Sequence, residues 1–198
     1  VRAYQIAAEM AAELQPEKKT QYLARADALK NQIQKYFWNV ERETYDYFLD
    51  DRERCEFQEG LGLAYAVLFD IADAEQRQSV MNHAVATPCG IACVEPSFAR
   101  YRIGDDNFGR HSGTVWPQVQ GYFAKAALKA GATEQFDREL FCLAKNAVEA
   151  CQFYEIYHPL TGKPYGGMQE EWEQGIILWN SCQRQTWSAT AFLSLCFY

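Results

Sequence analysis

The chain has 198 residues, 48% of them apolar and 15% aromatic, and a net charge of −7. A chain of that size and apolar content can bury a single sizeable core, which excludes a disordered polymer. The acidic balance repels phosphate backbones and argues against nucleic acid as a partner, and no apolar run approaches the roughly 20 residues a membrane helix needs.

Helical periodicity dominates. Tyr4, Ala7, Ala8, Ala11 and Leu14 fall on one face of a first predicted helix. Pro16 suits the first turn of a second, whose face of Tyr22, Ala26, Leu29, Ile33 and Phe37 runs to about Trp38. The alternation of Tyr45, Tyr47 and Leu49 predicts a short strand or hairpin. A third helix is expected from about Gln58 to Phe69, and a fourth, N-capped by Asp73, to about Val85. A turn at residues 86–90 precedes an extended stretch, and residues 99–113 are polar and Gly-rich, hence a loop. Trp116-Pro117 opens a fifth helix with Val119, Phe123, Ala126, Ala127 and Ala130 on one side. Gly131 ends it, and Thr133 caps a sixth that carries Phe136, Leu140, Leu143, Ala147 and Cys151. A seventh runs from Gln185 to the last residue, Tyr198.

The connections alternate in length. Tight turns are expected near Gln15, at 70–73 and at 131–133; long loops cover 39–57, 86–115 and 153–183. In an all-α fold of antiparallel hairpins this puts every tight turn at one end and every long loop at the other. Long loops in a compact domain are where function concentrates. Three hairpins and one extra helix read as part of a closed ring, so residues 1–198 are expected to be the C-terminal portion of a single larger domain.

Several residues on the long-loop end carry possible chemistry. Glu155, set among Phe153, Tyr154 and Tyr157, reads either as a fixed carboxylate able to activate water or as an exposed residue at a fraying helix end. Trp116 either presents a flat face to a ring-shaped ligand or plugs the core beneath its loop. In residues 169–187, Trp172, Trp179 and Trp187 alternate with Gln169, Gln174, Gln183, Arg184 and Gln185, a mixture suited to the C–H patches and hydroxyls of a sugar. Gln58, Glu59, Glu95, Asp105 and Asp106 could bond a polyol or stand as solvated loop residues. His83, expected on the fourth helix away from the loops, His111 and His158 have no metal-ligand spacing. The seven cysteines include no C-x-x-C; most read as buried thiols, which leans towards a reducing compartment, with cytoplasm and periplasm both open.

Three segments resemble the six-hairpin glycosidases, whose catalytic domain is an (α/α)6 barrel. "RHSGTVWPQVQGYF", residues 110–123, resembles a Gly-x-Val-Trp segment that opens a barrel helix. "FYEIYHPLTGKPYGG", residues 153–167, is similar to the Glu-x-Tyr-x-Pro-x-Thr-Gly segment of glycoside hydrolase family 63, the processing α-glucosidases, with trehalases as relatives. "QTWSATAFLSL", residues 185–195, resembles the helix that closes the barrel. The resemblance implies part of an (α/α)6 toroid, an oligosaccharide or glycoside substrate with α-linked sugars, no cofactor, and hydrolysis with inversion in which Glu155 is the general base. Trp116, His111, Tyr157, Gln58, Glu59, Gln185 and Trp187 are the accompanying candidates for sugar binding, with no metal ligands. Ser112-Gly113-Thr114 departs from the Arg-Gly common in family 63 and is closer to glycan phosphorylases, so a phosphorylase, a rhamnosidase, or a non-catalytic carbohydrate-binding fragment are the alternatives. The general acid of the family, an Asp, is expected upstream of Val1, in the missing N-terminal half of the barrel.

Overall fold

The helices form where the sequence supplies both period and punctuation. The computed structural model describes residues 1–104 and 106–198, so Asp105 lies outside the described residues. α1 (Arg2–Leu14) and α2 (Pro16–Phe37) are separated only by Gln15, and Pro16 sits in the first turn, where its missing N–H costs nothing. α3 (Gly60–Leu68) and α4 (Ala74–His83) are joined by residues 69–73. Asp73 accepts from the Gln76 N–H while the Gln76 side chain accepts from the Asp73 N–H, a complete capping box. α5 (Pro117–Lys129) and α6 (Thr133–Glu149) turn at Gly131, whose φ of +78° is the left-handed conformation that glycine adopts without strain. α7 spans Thr186–Cys196.

Some expected boundaries shift. Ala132, not Thr133, occupies the N-cap position of α6, and Thr133 is already helical. α6 stops at Glu149, because Cys151 takes φ +56° and the Cys151 and Gln152 N–H groups bond back to Val148 and Ala147. Gln58 is extended, not helical, and Glu59 is the N-cap of α3. α7 ends before Phe197. His83 is the last residue of α4, 3.6 Å from Glu43 of the first long loop, so it stands at the long-loop end and not away from it. Of the seven cysteines only Cys89 and Cys142 are buried. Cys151 lies past the helix end, Cys182 in a loop and Cys196 at the last turn of α7, so all three are exposed.

The long loops carry short paired strands. The first holds β1 (Trp38–Asn39) against β2 (Thr44–Tyr45), β3 (Phe48–Leu49) against β4 (Arg54–Cys55), and β5 (Gln58–Glu59). The second holds β6 (Ala86–Thr87) against β7 (Gly90–Ile91), and β8 (Val94–Glu95), which pairs antiparallel with β5. The third holds a hairpin that periodicity did not reveal, β9 (Met168–Glu171) and β10 (Gly175–Leu178), with Trp172 fully exposed near its tip.

α5 is the hub of the helical layer, packed on α3, α6 and α7. Its Phe123, Ala124, Ala126 and Ala127 are buried, and the main core joins Phe123, Ala126 and Ala127 to Leu63 and Val67 of α3 and to Val80 and Met81 of α4. Small residues bring α5 and α7 close: a Cβ on Gly121 would lie 2.8 Å from Ala191 Cβ. Phe123 is 1% exposed, so Phe123→Ala should cost about 3–5 kcal/mol in urea denaturation. Trp172→Ala, at a fully exposed position, should stay within about 0.5 kcal/mol of the parent.

Candidate active site

The site begins with a turn. Gly113, at φ +85°, folds residues 110–116 back so that the Arg110 carbonyl accepts from both Thr114 Oγ1 at 2.6 Å and Trp116 Nε1 at 2.8 Å. A Cβ at Gly113 would stand 2.6 Å from the Phe108 ring and 2.7 Å from Ser97 Cβ, so the turn needs glycine for space as well as for φ. The Arg110 N–H donates to Met168 O at 2.9 Å. Gly167 lets the chain pass: a Cβ there would lie 2.3 Å from Arg110 Cα. The Arg110 backbone is thus held on every side, and its guanidinium is aimed. Nη1 donates to Gly166 O at 2.9 Å, and Nη2 donates to Glu155 Oε2 at 2.6 Å.

Glu155 lies beyond the end of α6, at a bend in the stretch that leads to Tyr157. Its N–H donates to Cys182 O at 2.9 Å, and the next N–H, of Ile156, donates to Ser181 Oγ at 2.9 Å. On the other side Val115 and Tyr157 exchange both backbone hydrogen bonds, at 3.1 and 2.9 Å. This ladder sets the Arg110 turn beside the Glu155 segment. Glu155 is only 6% exposed, so its anion depends on the guanidinium for compensation. Glu155 Oε1 has no hydrogen-bond partner among the described residues. The guanidinium also lies 5.6 Å from the Trp116 ring centre and 5.9 Å from that of Trp179. His111 stacks on Trp116 with centroids 4.7 Å apart and planes at 21°. Partial burial of the imidazole, then the neighbouring Arg110 charge, hold the His111 pKa below its ordinary value, against the opposite pull of Glu155.

Glu155, Trp116 and His111 therefore meet around one guanidinium. Trp116 is largely buried, a member of the main core as well as the anchor of the Arg110 turn. Tyr157 is buried; its hydroxyl oxygen accepts from the Tyr154 N–H at 2.9 Å. Gln185 is the N-cap residue of α7 and donates its N–H to Phe153 O at 3.0 Å, next to the Glu155 segment. Trp187, in the first turn of α7, faces a groove of about 380 Å³ shared with Tyr122 and Lys125 of α5. Gln58 and Glu59 stand at the start of α3. The Gln58 amide is taken up by both backbone groups of Val85, and the Glu59 carboxylate caps α3 at the Leu61 and Gly62 N–H groups. Burial pushes the Glu59 pKa up, opposed by those two donors. Among the described residues, no cluster of three His, Cys, Asp or Glu side chains could hold a metal ion.

Sequence reasoning missed Arg110. The signal was available: a buried carboxylate needs a nearby cation, and Arg110 opens the Trp116 segment. It also missed a cavity of about 230 Å³ lined by Tyr47, Phe98, Tyr101, Arg100, Arg110 and His111 among others. Those residues come from two different loops, so no local pattern joins them.

Antiparallel helical hairpins with all long loops at one rim define part of an (α/α)6 barrel, the six-hairpin glycosidase architecture. Solved structures place the chain in that class. The GH63 mannosylglycerate hydrolase from Thermus thermophilus matches with a TM-score of 0.69 at 18% identity, over 99% of this chain and 45% of that one, in a structure with glucose. Another structure of the same enzyme holds Tris and D-glycerate. Neutral trehalase Nth1 from Saccharomyces cerevisiae matches with 0.63 at 16%, over 91% of this chain and 31% of that one. A rhamnosidase from Klebsiella oxytoca with rhamnose bound matches with 0.61 at 18%, over 98% and 32%. The chain thus spans less than half the length of these structures, and at such identities the likeness establishes the fold. No curated protein matches the chain by sequence. The chain belongs to the mannosylglycerate hydrolase MGH1-like glycoside hydrolase domain family, whose model matches residues 1–188.

Arg110→Ala leaves Glu155 buried without its counter-charge and should destabilise the protein by about 3–5 kcal/mol in urea denaturation. Adding Glu155→Gln to Arg110→Ala should recover part of that loss, because the stranded charge is gone.

Proposed function

We propose that residues 1–198 are the C-terminal, base-carrying portion of an inverting glycoside hydrolase acting on α-linked sugars, with Glu155 as the general base. The observation that carries this reading is the Glu155 carboxylate itself: buried on the long-loop rim, anchored through Oε2 to Arg110, with Oε1 left for water. The Arg110 guanidinium at 2.6 Å holds the carboxylate in place by a charge-assisted hydrogen bond, which fixes the direction in which Oε1 can reach a water. Oε1 then takes a proton from a water while the water oxygen attacks the anomeric carbon, and the glycosidic C–O bond breaks on the opposite face. The leaving oxygen needs a proton from a second carboxyl group, roughly 6.5–9.5 Å from the first in inverting enzymes. We assign that acid to the part of the larger domain beyond residues 1–198. This accords with the chain covering only 45% of the mannosylglycerate hydrolase chain.

Glu155→Gln in the whole protein should lower kcat for an α-glycoside by roughly 10²–10⁴-fold with the fold intact. Proton NMR of the fresh product of the parent enzyme should show the β-anomer first. Unchanged turnover in Glu155→Gln would sink the base assignment, and an initial α-anomer would sink inversion.

The cavity beside the ion pair favours a narrower substrate reading, a sugar linked to a carboxylate-bearing aglycone. Arg100 and Arg110 both line it, and only Arg110 has a carboxylate partner among the described residues. A guanidinium beside Tyr47 and Tyr101 suits a hydroxy acid such as the D-glycerate held by the Thermus thermophilus enzyme. Arg100→Ala should raise KM for a glycosylglycerate by roughly 10-fold and leave KM for a neutral nitrophenyl glycoside unchanged. Equal effects on both substrates would remove the anionic aglycone.

A further inference from the structure

Glu139 is a buried carboxylate that the proposed reaction does not use. It lies in α6 and is 1% exposed. Its Oε2 accepts from the Ile91 N–H at 3.0 Å and from the Gln120 side-chain amide at 2.9 Å. The same Gln120 Nε2 donates to Cys89 O at 3.1 Å. α5 and α6 thus each send one side chain to hold residues 89–91, the root of the second long loop. Gly90, between them, is at φ +122°, and a Cβ there would stand 1.9 Å from Gln120 Nε2 and 2.7 Å from Glu139 Oε2. The backbone therefore passes the two side chains as closely as glycine allows. Burial pushes the Glu139 pKa up; the Gln120 amide, the Ile91 N–H and Arg138 oppose that shift.

The chain leaving this clamp runs straight to the site. Cys93 N–H donates to Thr114 O at 2.8 Å, and Gly113 N–H donates to Val94 O at 2.7 Å. Val115 is then paired both ways with Tyr157. Three backbone segments, 91–94, 113–115 and 156–157, form one hydrogen-bonded path. It starts at Glu139 and ends on the turn of Arg110 and the segment of Glu155. Side chains far from the reacting atoms matter when they set such a register, since a displacement of about 1 Å can cost roughly 10²-fold in rate.

We propose that Glu139, with Gln120 as its partner, is a positioning residue for the Glu155–Arg110 pair, acting through this backbone path. The proposal rests on the reading of Glu155 as the base. Its test uses the whole protein and two readouts, amide hydrogen exchange by mass spectrometry and turnover of 4-nitrophenyl α-D-glucopyranoside. Glu139→Met removes the acceptor while keeping the volume. It should speed exchange roughly 10-fold or more in peptides covering 91–95, 112–116 and 156–158, leave α3 unchanged, and lower kcat roughly 10-fold with KM within about two-fold. Glu139→Gln still presents an oxygen to both donors and should restore both readouts. Should Glu139→Met fold poorly, Gln120→Met takes the amide donor from Cys89 O and from Glu139 Oε2 but leaves the Ile91 N–H on Glu139, and should move both readouts the same way by less. Parent-like exchange at 112–116 and 156–158 in Glu139→Met, or a rise spread evenly over all helices, overturns the proposal. Glu155→Gln keeps the two questions separate: unchanged turnover there removes the base reading, while the exchange pattern of Glu139→Met still reports on the path.

Discussion

A carboxylate taken out of water must find compensation, and Glu155 finds it in Arg110 at 2.6 Å. Much of the rim is organised around delivering that one guanidinium. Trp116 and Thr114 fix the Arg110 carbonyl, Met168 takes its N–H, and Gly166 takes its other guanidinium nitrogen. Gly113 and Gly167 supply the turn and the clearance. A lysine would carry the charge but could not reach the Gly166 carbonyl and the carboxylate with one rigid fork.

The helices beneath the rim contribute rigidity more than chemistry. α5 lies against three other helices, against α7 through Gly121 and Ala191, and its first turn begins directly after Trp116. The α5 core and the ion pair are therefore separated by one side chain that serves both, since Trp116 packs in the main cluster and donates to Arg110. The three long loops are joined to one another by backbone hydrogen bonds, from β5 through β8 and residues 113–115 to Tyr157. Loops tied together in this way form one platform that holds the Glu155–Arg110 pair.

The fold alone does not choose the substrate. Structures of a mannosylglycerate hydrolase, a trehalase and a rhamnosidase share this architecture with the chain at similar similarity. On a shared fold, the choice of substrate falls to the lining of the rim. Here that lining includes an exposed Arg100, the aromatic rings of Tyr47, Phe98 and Tyr101, and an exposed His111 stacked on Trp116.

The sequence by itself determined the helices, because period, prolines, glycines and the Asp73 cap are local signals, and α1 to α5 begin within a few residues of where those signals put them. It also determined the alternation of tight and long connections, and with it the rim on which Glu155 stands. Boundaries set by backbone conformation escaped it: the left-handed Cys151 that stops α6, and the β9–β10 hairpin hidden in a run of Trp, Glu and Gln. The expectation that most cysteines are buried holds only for Cys89 and Cys142, because an apolar neighbourhood in sequence does not say which side faces out. Only the tertiary structure decided the partners. Arg110 and Glu155 are 45 positions apart, and Glu139 reaches Ile91 across 48. Such pairings follow from how helices stack and loops cross, and those long-range contacts leave no period in the chain that makes them.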